Sequence, residues 1–238
     1  MAGVAAALSH DGFERVAITY RTTPPDRTLA SIEAAGADAY ATRVDFLDTQ
    51  DTVATALEAL VRDYGPFDTL VHGVGPIVVK RFERLSMDEY RDMLDGNLRS
   101  AVLAVRAVAN GMREQRFGRI VFFATVGSAV TQPHRGFAFY QAAKSALVAF
   151  ARCLALEEAP HGITVNVVSP GDIRQKSLSR EEALARPARN PRGRSGSFED
   201  VADAVRFLVA AERDFVTGSV IDVGGGLTQA DERNERSP

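Results

Sequence analysis

The sequence predicts an α/β fold in which a mainly parallel sheet is covered by helices on both faces. Short β-branched segments alternate along the chain with segments of helical periodicity, and this alternation is typical of parallel strands joined by crossover helices. The 238 residues suffice for one such domain, and 45% of them are hydrophobic and can form its core. We therefore expect three layers, with the sheet in the middle.

Six segments have the character of strands. Each is short and rich in β-branched or aromatic residues, which fit a pleated, half-buried surface. They are Val16–Tyr20, Tyr40–Val44, Thr69–Gly73, Arg119–Ala124, Thr164–Ser169 and Val220–Val223.

Helices are indicated by apolar spacing and by capping residues. One apolar stripe at helical spacing is stopped by Gly65. Ser86 with Glu89, and Ser197 with Asp200, have the spacing of capping boxes and predict two helix starts. The stripe consists of Val53, Leu57, Leu60 and Val61, and the first capping box precedes a helix over Met87–Met93.

The carboxyl-terminal half contains one irregular stretch. Arg174–Gly196 carries many arginines and little apolar periodicity, so we predict a mobile connection. The overlapping connection Ile173–Ser195 would close over a substrate as a lid. Residues 1–229 are predicted to form a single domain, and 230–238 a polar tail that frays.

Composition excludes several classes of partner. The net charge of −3 gives no basic field for nucleic acid or anionic lipid. The longest uncharged stretch, Ile120–Pro133, is too short to span a membrane. Cys153 is the single cysteine, so we expect no intrachain disulfide, a cytoplasmic location and a small buried side chain. No metal site is predicted.

Tyr140 and Lys144 are the residues that most directly indicate chemistry. They are four positions apart in Tyr-Gln-Ala-Ala-Lys, which places a phenol and an ammonium on one face of a helix. A nearby positive charge stabilises a phenolate and lowers the pKa of the phenol. The pair therefore predicts acid–base catalysis by Tyr140.

Several further motifs surround this pair along the chain. They are Asp45 after a strand, His72-Gly73-Val74-Gly75, Asp95-Gly96-Asn97-Leu98, Thr125 at a strand end, Ser169-Pro170-Gly171, Val216-Thr217-Gly218 and Asp222-Val223-Gly224-Gly225. In order and spacing, these motifs and the pair of Tyr140 and Lys144 resemble the classical short-chain dehydrogenase/reductase family over Met1 to about Thr228.

This resemblance implies a Rossmann-like doubly wound fold and nicotinamide-dependent reduction of a carbonyl, in a 3-oxoacyl compound or another ketone, to an alcohol. Tyr140 would be the acid–base, Lys144 would hold the nicotinamide ribose, and Asn97 would support a relay water. The family's serine corresponds to Thr125, with Ser128 as a rival; we favour Thr125 because a strand end fixes position better than a loop. The partners would be a small carbonyl or alcohol substrate and further copies in a homodimer or homotetramer.

The resemblance also assigns residues to the cofactor. NADP(H) is expected over NAD(H), because the second family strand ends in Tyr20-Arg21 rather than in an acid, and Arg21 could pair with the 2′-phosphate. The full set expected at the cofactor is Arg21, Asp45, Gly73, Tyr140, Lys144, Pro170 and Gly171.

Two features depart from the family pattern. His72-Gly73 stands where the family usually has two asparagines, and we expect His72 to be structural. Met1–Gly12 corresponds to the helix that follows the family's glycine-rich loop, so the first strand and this loop are missing, and we expect weak dinucleotide binding by these residues. Either the true start lies upstream, or the chain is a damaged or repurposed copy. The alternative function is a non-catalytic oligomer partner or scaffold with impaired dinucleotide binding.

Overall fold

The computed structural model describes residues 2–133, 135–171, 173 and 178–227, and these form a parallel α/β fold with helices on both faces. All six predicted strands are present, with ends within two residues of the prediction. They are β1 Arg15–Tyr20, β2 Asp38–Arg43, β3 Thr69–His72, β4 Gly118–Phe123, β5 Ile163–Pro170 and β6 Val220–Val223. The predicted fold class is confirmed.

Eight α-helices connect the strands in the described residues. The predicted end of one helix before Gly65 and the capping boxes at Ser86 and Ser197 are confirmed. The helices are α1 Ala2–Leu8, α2 Asp26–Ala34, α3 Gln50–Tyr64, α4 Met87–Leu94, α5 Ser100–Gln115, α6 Ala138–Glu158, α7 Arg180–Leu184 and α8 Phe198–Val209.

The strands form two separate sheets. β1 pairs with β2, and the order in the other sheet is β3-β4-β5-β6, with every pair parallel. No described residue forms a strand between β1 and β3. We call the two parts the two-stranded sheet and the four-stranded sheet. Because all strands in each sheet are parallel, each sheet has one edge at which its strands end in their carboxyl termini.

Apolar clusters on opposite faces hold the layers together. On one face α5 and α6 pack against β4 and β5, with Ile120 and Leu147 fully buried. On the other face α1 and α8 pack against β4 and β5, with Val121 and Val205 buried between them. A third cluster joins α3 to the residues that follow β2. This is the three-layer arrangement expected from the alternation of strands and helices.

The predicted connection over Arg174–Gly196 contains local structure in the part that the structure describes; residues 172 and 174–177 lie outside the described residues. Its mobility and the lid role of Ile173–Ser195 stay predictions. A capping box at Ser179 starts α7, and an antiparallel bridge joins Pro187 to Arg194. Arg194 then binds Asp200 on α8 through two hydrogen bonds of 2.7 and 2.8 Å. This segment has little apolar periodicity, and the helix cap and the ion pair stabilise it instead.

Cys153 is also placed differently from the prediction. Its side chain is exposed on α6 rather than buried. The core-facing positions around it are Ala151, Leu154 and Ala155, all buried. Apolar residues lie on several faces of α6, so the sequence pattern did not show which face packs against the core. No helix among the described residues is long and apolar enough to cross a membrane.

We expect Asp200→Asn to lower the free energy of unfolding at pH 7 by about 1–2 kcal/mol. Hydrogen bonds from Arg194, and then from the Ser197 backbone, lower the pKa of Asp200 to about 2. Because the pKa of this carboxyl is lower in the folded than in the unfolded state, its ionised form stabilises the folded state at neutral pH. This contribution is lost as the pH falls from about 4 to about 2.

Urea unfolding at pH 7 and at pH 3 measures the effect. The matched control is Asp63→Asn, which breaks the exposed ion pair between Arg62 and Asp63 and should cost less than about 0.5 kcal/mol. Equal stability of the Asp200 and Asp63 variants at pH 7 would show that the ionised Asp200 does not stabilise the fold.

Candidate active site

The carboxyl edge of the four-stranded sheet holds Tyr140 and Lys144, both on α6. Lys144 is 4% exposed, and its ammonium donates a 2.7 Å hydrogen bond to the carbonyl of Phe123, the last residue of β4. The ammonium lies 5.8 Å from the centre of the Tyr140 ring. The predicted proximity of phenol and ammonium is therefore present, and a backbone carbonyl accounts for one of the three hydrogens that the ammonium can donate.

The electrostatic effect at Tyr140 differs from the expected lowering of its pKa. Burial raises the pKa of the Tyr140 phenol above its ordinary value. The Lys144 ammonium is directed to the Phe123 carbonyl, and desolvation disfavours the charged phenolate. Tyr140 is therefore a neutral phenol at physiological pH, which is the form that can donate a proton.

Asn97 lies beside Lys144 in a π-helical turn, Asp95–Arg99, and is fully buried. Its amide nitrogen donates to the carbonyls of Pro76 and Met93, at 3.0 and 2.9 Å. Its amide oxygen is buried and has no hydrogen-bond partner among the described residues. An oriented acceptor of this kind could bind a water or a ligand donor.

Gly75 makes this arrangement possible. A Cβ at Gly75 would stand 2.2 Å from the Asn97 amide oxygen and 3.1 Å from the Lys144 ammonium nitrogen. Only glycine leaves this space open. Asn97 and Lys144 therefore converge on one small space that is bounded by the Gly75 backbone.

The two candidates for the family's serine differ in burial. Thr125 is partly exposed just beyond β4, and its carbonyl accepts a 3.0 Å hydrogen bond from the Ser128 amide. Ser128 is 2% exposed, and its hydroxyl has no partner among the described residues. The strand end favours Thr125, whereas the unused buried hydroxyl favours Ser128, so the choice between them stays open.

His72 ends β3 and has the character of a structural residue. Its ring stands edge-on to Phe46 and Phe122, and its Nε2 is 3.0 Å from the Ser100 hydroxyl. Burial, and then the charge of Lys144, lower the pKa of His72 to about 3. The ring is therefore neutral at physiological pH and adds no second positive charge beside Lys144.

The predicted cofactor residues fall into two groups. Gly73, Pro170 and Gly171 lie at the carboxyl edge of the four-stranded sheet, and the Gly171 amide donates to the carbonyl of Val223. A Cβ at Gly171 would stand 2.7 Å from the Val126 side chain, just beyond Thr125. This group is therefore close to the candidate serine position.

The second group lies at the carboxyl edge of the two-stranded sheet. Arg21 Nε donates a 3.0 Å hydrogen bond to Asp45, and Arg43 Nε donates to the carbonyl of Arg21 at 3.1 Å. Asp45 also accepts from the Leu47 amide at 3.1 Å. Arg21 is thus paired with a carboxylate, and a bound phosphate would share or replace that partner.

A buried lysine and a tyrosine one turn apart thus lie at the carboxyl edge of a parallel α/β sheet. A family model described as enoyl-(acyl carrier protein) reductase matches residues 2–228. The chain belongs to the classical short-chain dehydrogenase/reductase family and is an NAD(P)-dependent enzyme of that family.

Two curated relatives are similar over much or nearly all of the chain. The 3-oxoacyl-[acyl-carrier-protein] reductase FabG of Salmonella typhimurium is 37% identical over 180 residues, which are 74% of this chain and 72% of the relative. FabG of Haemophilus influenzae is 31% identical over 228 residues, which are 94% of this chain and 93% of the relative.

Solved structures show the same fold. A putative 3-oxoacyl-reductase from Bacillus thuringiensis superposes with a TM-score of 0.84 at 29% identity, covering 94% of this chain and 92% of its own. An acetoin dehydrogenase from Enterobacter cloacae superposes with a TM-score of 0.83 at 28% identity, covering 94% and 89%.

Sequence reasoning did not single out two residues of the site. Gly75 belongs to the motif His72-Gly73-Val74-Gly75, but its contact with Asn97 joins two segments that are apart in sequence. Arg43 was an ordinary strand residue in the sequence, and only the pairing of Tyr20 with Arg43 in the parallel register places it beside Arg21.

We expect Gly75→Ala to lower the free energy of unfolding by about 1–3 kcal/mol, because the methyl group must displace the Asn97 amide. The matched control is Gly36→Ala. Gly36 has a φ of +92° and no atom within 4 Å of its Cβ position, so this change costs only backbone strain, of about 1–2 kcal/mol.

Chemical denaturation of both variants, with amide NMR shifts of Asn97, separates the two effects. Asn97 should move in Gly75→Ala and remain in place in Gly36→Ala. An unmoved Asn97 in Gly75→Ala would show that the packing around Gly75 is looser than described.

Proposed function

We propose that the chain reduces the carbonyl of a 3-oxoacyl thioester or a related ketone to an alcohol, with NADPH as the hydride donor. The observation that carries this proposal is the neutral phenol of Tyr140 beside the buried ammonium of Lys144. The names of the FabG relatives support a 3-oxoacyl substrate, and the acetoin dehydrogenase of similar fold supports a small ketone.

The residues at the carboxyl edge fit the nicotinamide end of such a cofactor. The Lys144 ammonium, held at the Phe123 carbonyl, would donate to ribose hydroxyls of the cofactor. The buried Asn97 oxygen offers a free acceptor, and Gly75 leaves room beside it. When bound, the cofactor supplies a hydride to the carbonyl carbon.

Tyr140 would donate its proton to the carbonyl oxygen as the hydride reaches the carbon. The raised pKa of Tyr140 keeps the proton on the phenol until it is needed, and the Lys144 ammonium stabilises the phenolate that forms. A water on the Asn97 amide oxygen would then return a proton through Lys144. The hydroxyl of Thr125 or of Ser128 would donate to the same carbonyl oxygen and orient it.

We expect Tyr140→Phe to lower kcat by about 10²- to 10⁴-fold, because only the proton donor is removed. Acetoacetyl thioester reduction, followed through NADPH absorbance, measures the loss. Tyr64→Phe is the matched control: Tyr64 stacks on Tyr40, with ring centres 4.2 Å apart, and removing its hydroxyl should leave kcat unchanged. Near-normal turnover by Tyr140→Phe would refute the assignment of the proton donor.

The adenosine end of the cofactor would meet Arg21 and Asp45. Arg21 is exposed and, together with Arg43, gives two guanidinium groups against one carboxylate at this edge. This excess of positive charge supports a preference for the 2′-phosphate of NADPH.

Arg21→Ala should weaken NADPH binding by about tenfold and leave NADH binding nearly unchanged, since a charged hydrogen bond contributes about 1.5–3 kcal/mol and exposure reduces it. Fluorescence titration with both dinucleotides gives the two dissociation constants. Arg62→Ala, at an exposed ion pair on α3, is the control and should change neither. Equal or tighter binding of NADH by the unsubstituted chain would contradict the preference.

One observation favours the second candidate, a non-catalytic oligomer partner or scaffold. The two groups of cofactor residues lie on separate sheets with no described strand between them. The same titration separates the candidates, because a scaffold has no need to bind NADPH. In either case we propose a homodimer or homotetramer formed through α6 and its neighbour α5. Leu156, 79% exposed on α6, is apolar surface that such an interface would cover.

A further inference from the structure

A buried histidine contacts the helical segment that carries Asn97. His72, the last residue of β3, is 3% exposed, and its Nε2 lies 3.0 Å from the hydroxyl oxygen of Ser100. Ser100 is fully buried at the start of α5, directly after the π-helical turn Asp95–Arg99. This contact therefore joins the four-stranded sheet to that turn. The proposed reaction gives neither side chain a role.

The turn departs from regular helical pairing at Ser100. Its backbone amide donates to the carbonyl of Asp95, five residues back, whereas a regular α-helix would pair it with Gly96, four residues back. The Ser100 hydroxyl donates to the Gly96 carbonyl at 2.7 Å. The side chain thus supplies Gly96 with a donor in place of the amide that is bound to Asp95. Single π-helical turns of this kind are rare, and many of them lie at functional sites.

The hydrogens of this contact can be assigned. A serine hydroxyl has one hydrogen, and that of Ser100 is directed to Gly96. The hydrogen between His72 and Ser100 therefore belongs to Nε2 of the histidine. The pKa of His72 is lowered to about 3, by burial and then by the charge of Lys144, so the ring is neutral and Nε2 carries its single N–H. A directed chain of hydrogen bonds results, from His72 through Ser100 to the Gly96 carbonyl, in which each bond strengthens the next.

Asn97 directly follows the residue that this chain of hydrogen bonds holds. A Cβ at Gly96 would stand 2.3 Å from the ring of Pro76, and the carbonyl of Pro76 accepts from the Asn97 amide nitrogen at 3.0 Å. The Asn97 amide oxygen lies 2.2 Å from the Cβ position of Gly75. Little free space surrounds this segment, so a small shift of the backbone at Gly96 changes the direction of the Asn97 oxygen.

We propose that His72 is a positioning residue, which directs the Asn97 amide oxygen into the space beside Gly75. It acts through the Ser100 hydroxyl and the backbone of Gly96, without contact to substrate or cofactor. The consequence for catalysis rests on the proposed function, in which the Asn97 oxygen binds the relay water. A displaced oxygen would slow the return of the proton without changing how the carbonyl substrate binds.

Two substitutions break the hydrogen bond from opposite ends. His72→Phe keeps a ring against the two neighbouring phenylalanines and lacks the donor, and Ser100→Ala lacks the acceptor. His72→Gln is the conservative variant, because its side-chain amide keeps an N–H donor. The matched control is Ser9→Ala. Ser9 is 2% exposed after α1, and its hydroxyl donates to the Ala6 carbonyl at 2.7 Å.

The first readout is the side-chain NH2 signals of Asn97, followed by NMR in the full chain without cofactor or substrate. We expect these signals to shift in His72→Phe and in Ser100→Ala, and to keep their positions in His72→Gln and in Ser9→Ala. Because Ser9→Ala removes a buried hydroxyl of the same kind, the comparison separates a rearrangement of the turn from a general loss of packing.

The second readout is the rate of acetoacetyl thioester reduction with NADPH. We expect kcat to fall by about tenfold in His72→Phe, which is the size of effect that one neutral hydrogen bond has, with KM unchanged. His72→Gln should recover most of the loss. In an Asn97→Ala background, His72→Phe should lower kcat no further, because a positioning residue has no effect without the group that it positions.

Three results would overturn the proposal. Asn97 signals that move in neither His72→Phe nor Ser100→Ala would show that the hydrogen bonds do not hold the turn. Signals as displaced in His72→Gln as in His72→Phe would assign the effect to ring packing. The same loss of kcat with and without Asn97 would give His72 a purely structural role.

Two features keep the test decisive. If His72→Phe does not fold, Ser100→Ala and Ser9→Ala make the same comparison. The NMR readout needs no turnover, so a chain that fails to reduce ketones would refute the proposed function and leave this test intact.

Discussion

The parallel pairing of β4 with β5 is the contact on which the remaining structure depends. Every residue of β4 is buried, and β5 is buried up to its last residue, Pro170. Helices α5 and α6 cover one face of this pair, while α1 and α8 cover the other. Because parallel strands end at a common edge, the residues that follow β4 and β5 are brought together there.

The hydrogen bond from Lys144 to the Phe123 carbonyl connects the pair of β4 and β5 to the candidate active site. It fixes α6 against the end of β4 and holds the ammonium in a buried place. The charge of that ammonium helps to keep His72 neutral. Burial raises the pKa of the Tyr140 phenol, so the candidate site combines a buried ammonium with a neutral phenol.

The split between the sheets affects the two ends of the site differently. The candidate residues for the nicotinamide end of a cofactor, from Gly75 to Lys144, are held by the four-stranded sheet and by α6. Arg21, Arg43 and Asp45 belong to the two-stranded sheet, which helices join to the remaining structure. The distance between the two ends therefore depends on helix packing rather than on backbone pairing.

Local sequence signals were sufficient for much of the fold. The strands were found to within two residues, and the capping boxes at Ser86 and Ser197 were predicted from the spacing of two residues. The helical separation of Tyr140 and Lys144 was likewise a local property. These predictions succeeded because backbone alternation, helical periodicity and capping act over a few residues.

By itself, the sequence determined the order of elements, the parallel α/β class and the placing of a tyrosine and a lysine on one helix face. Only the tertiary structure decided that Gly75 lies against Asn97, that Arg43 stands beside Arg21, that Cys153 faces outward and that the pKa of Tyr140 is raised. Each of these depends on segments that are distant in sequence, and desolvation and close approach are set by how those segments pack.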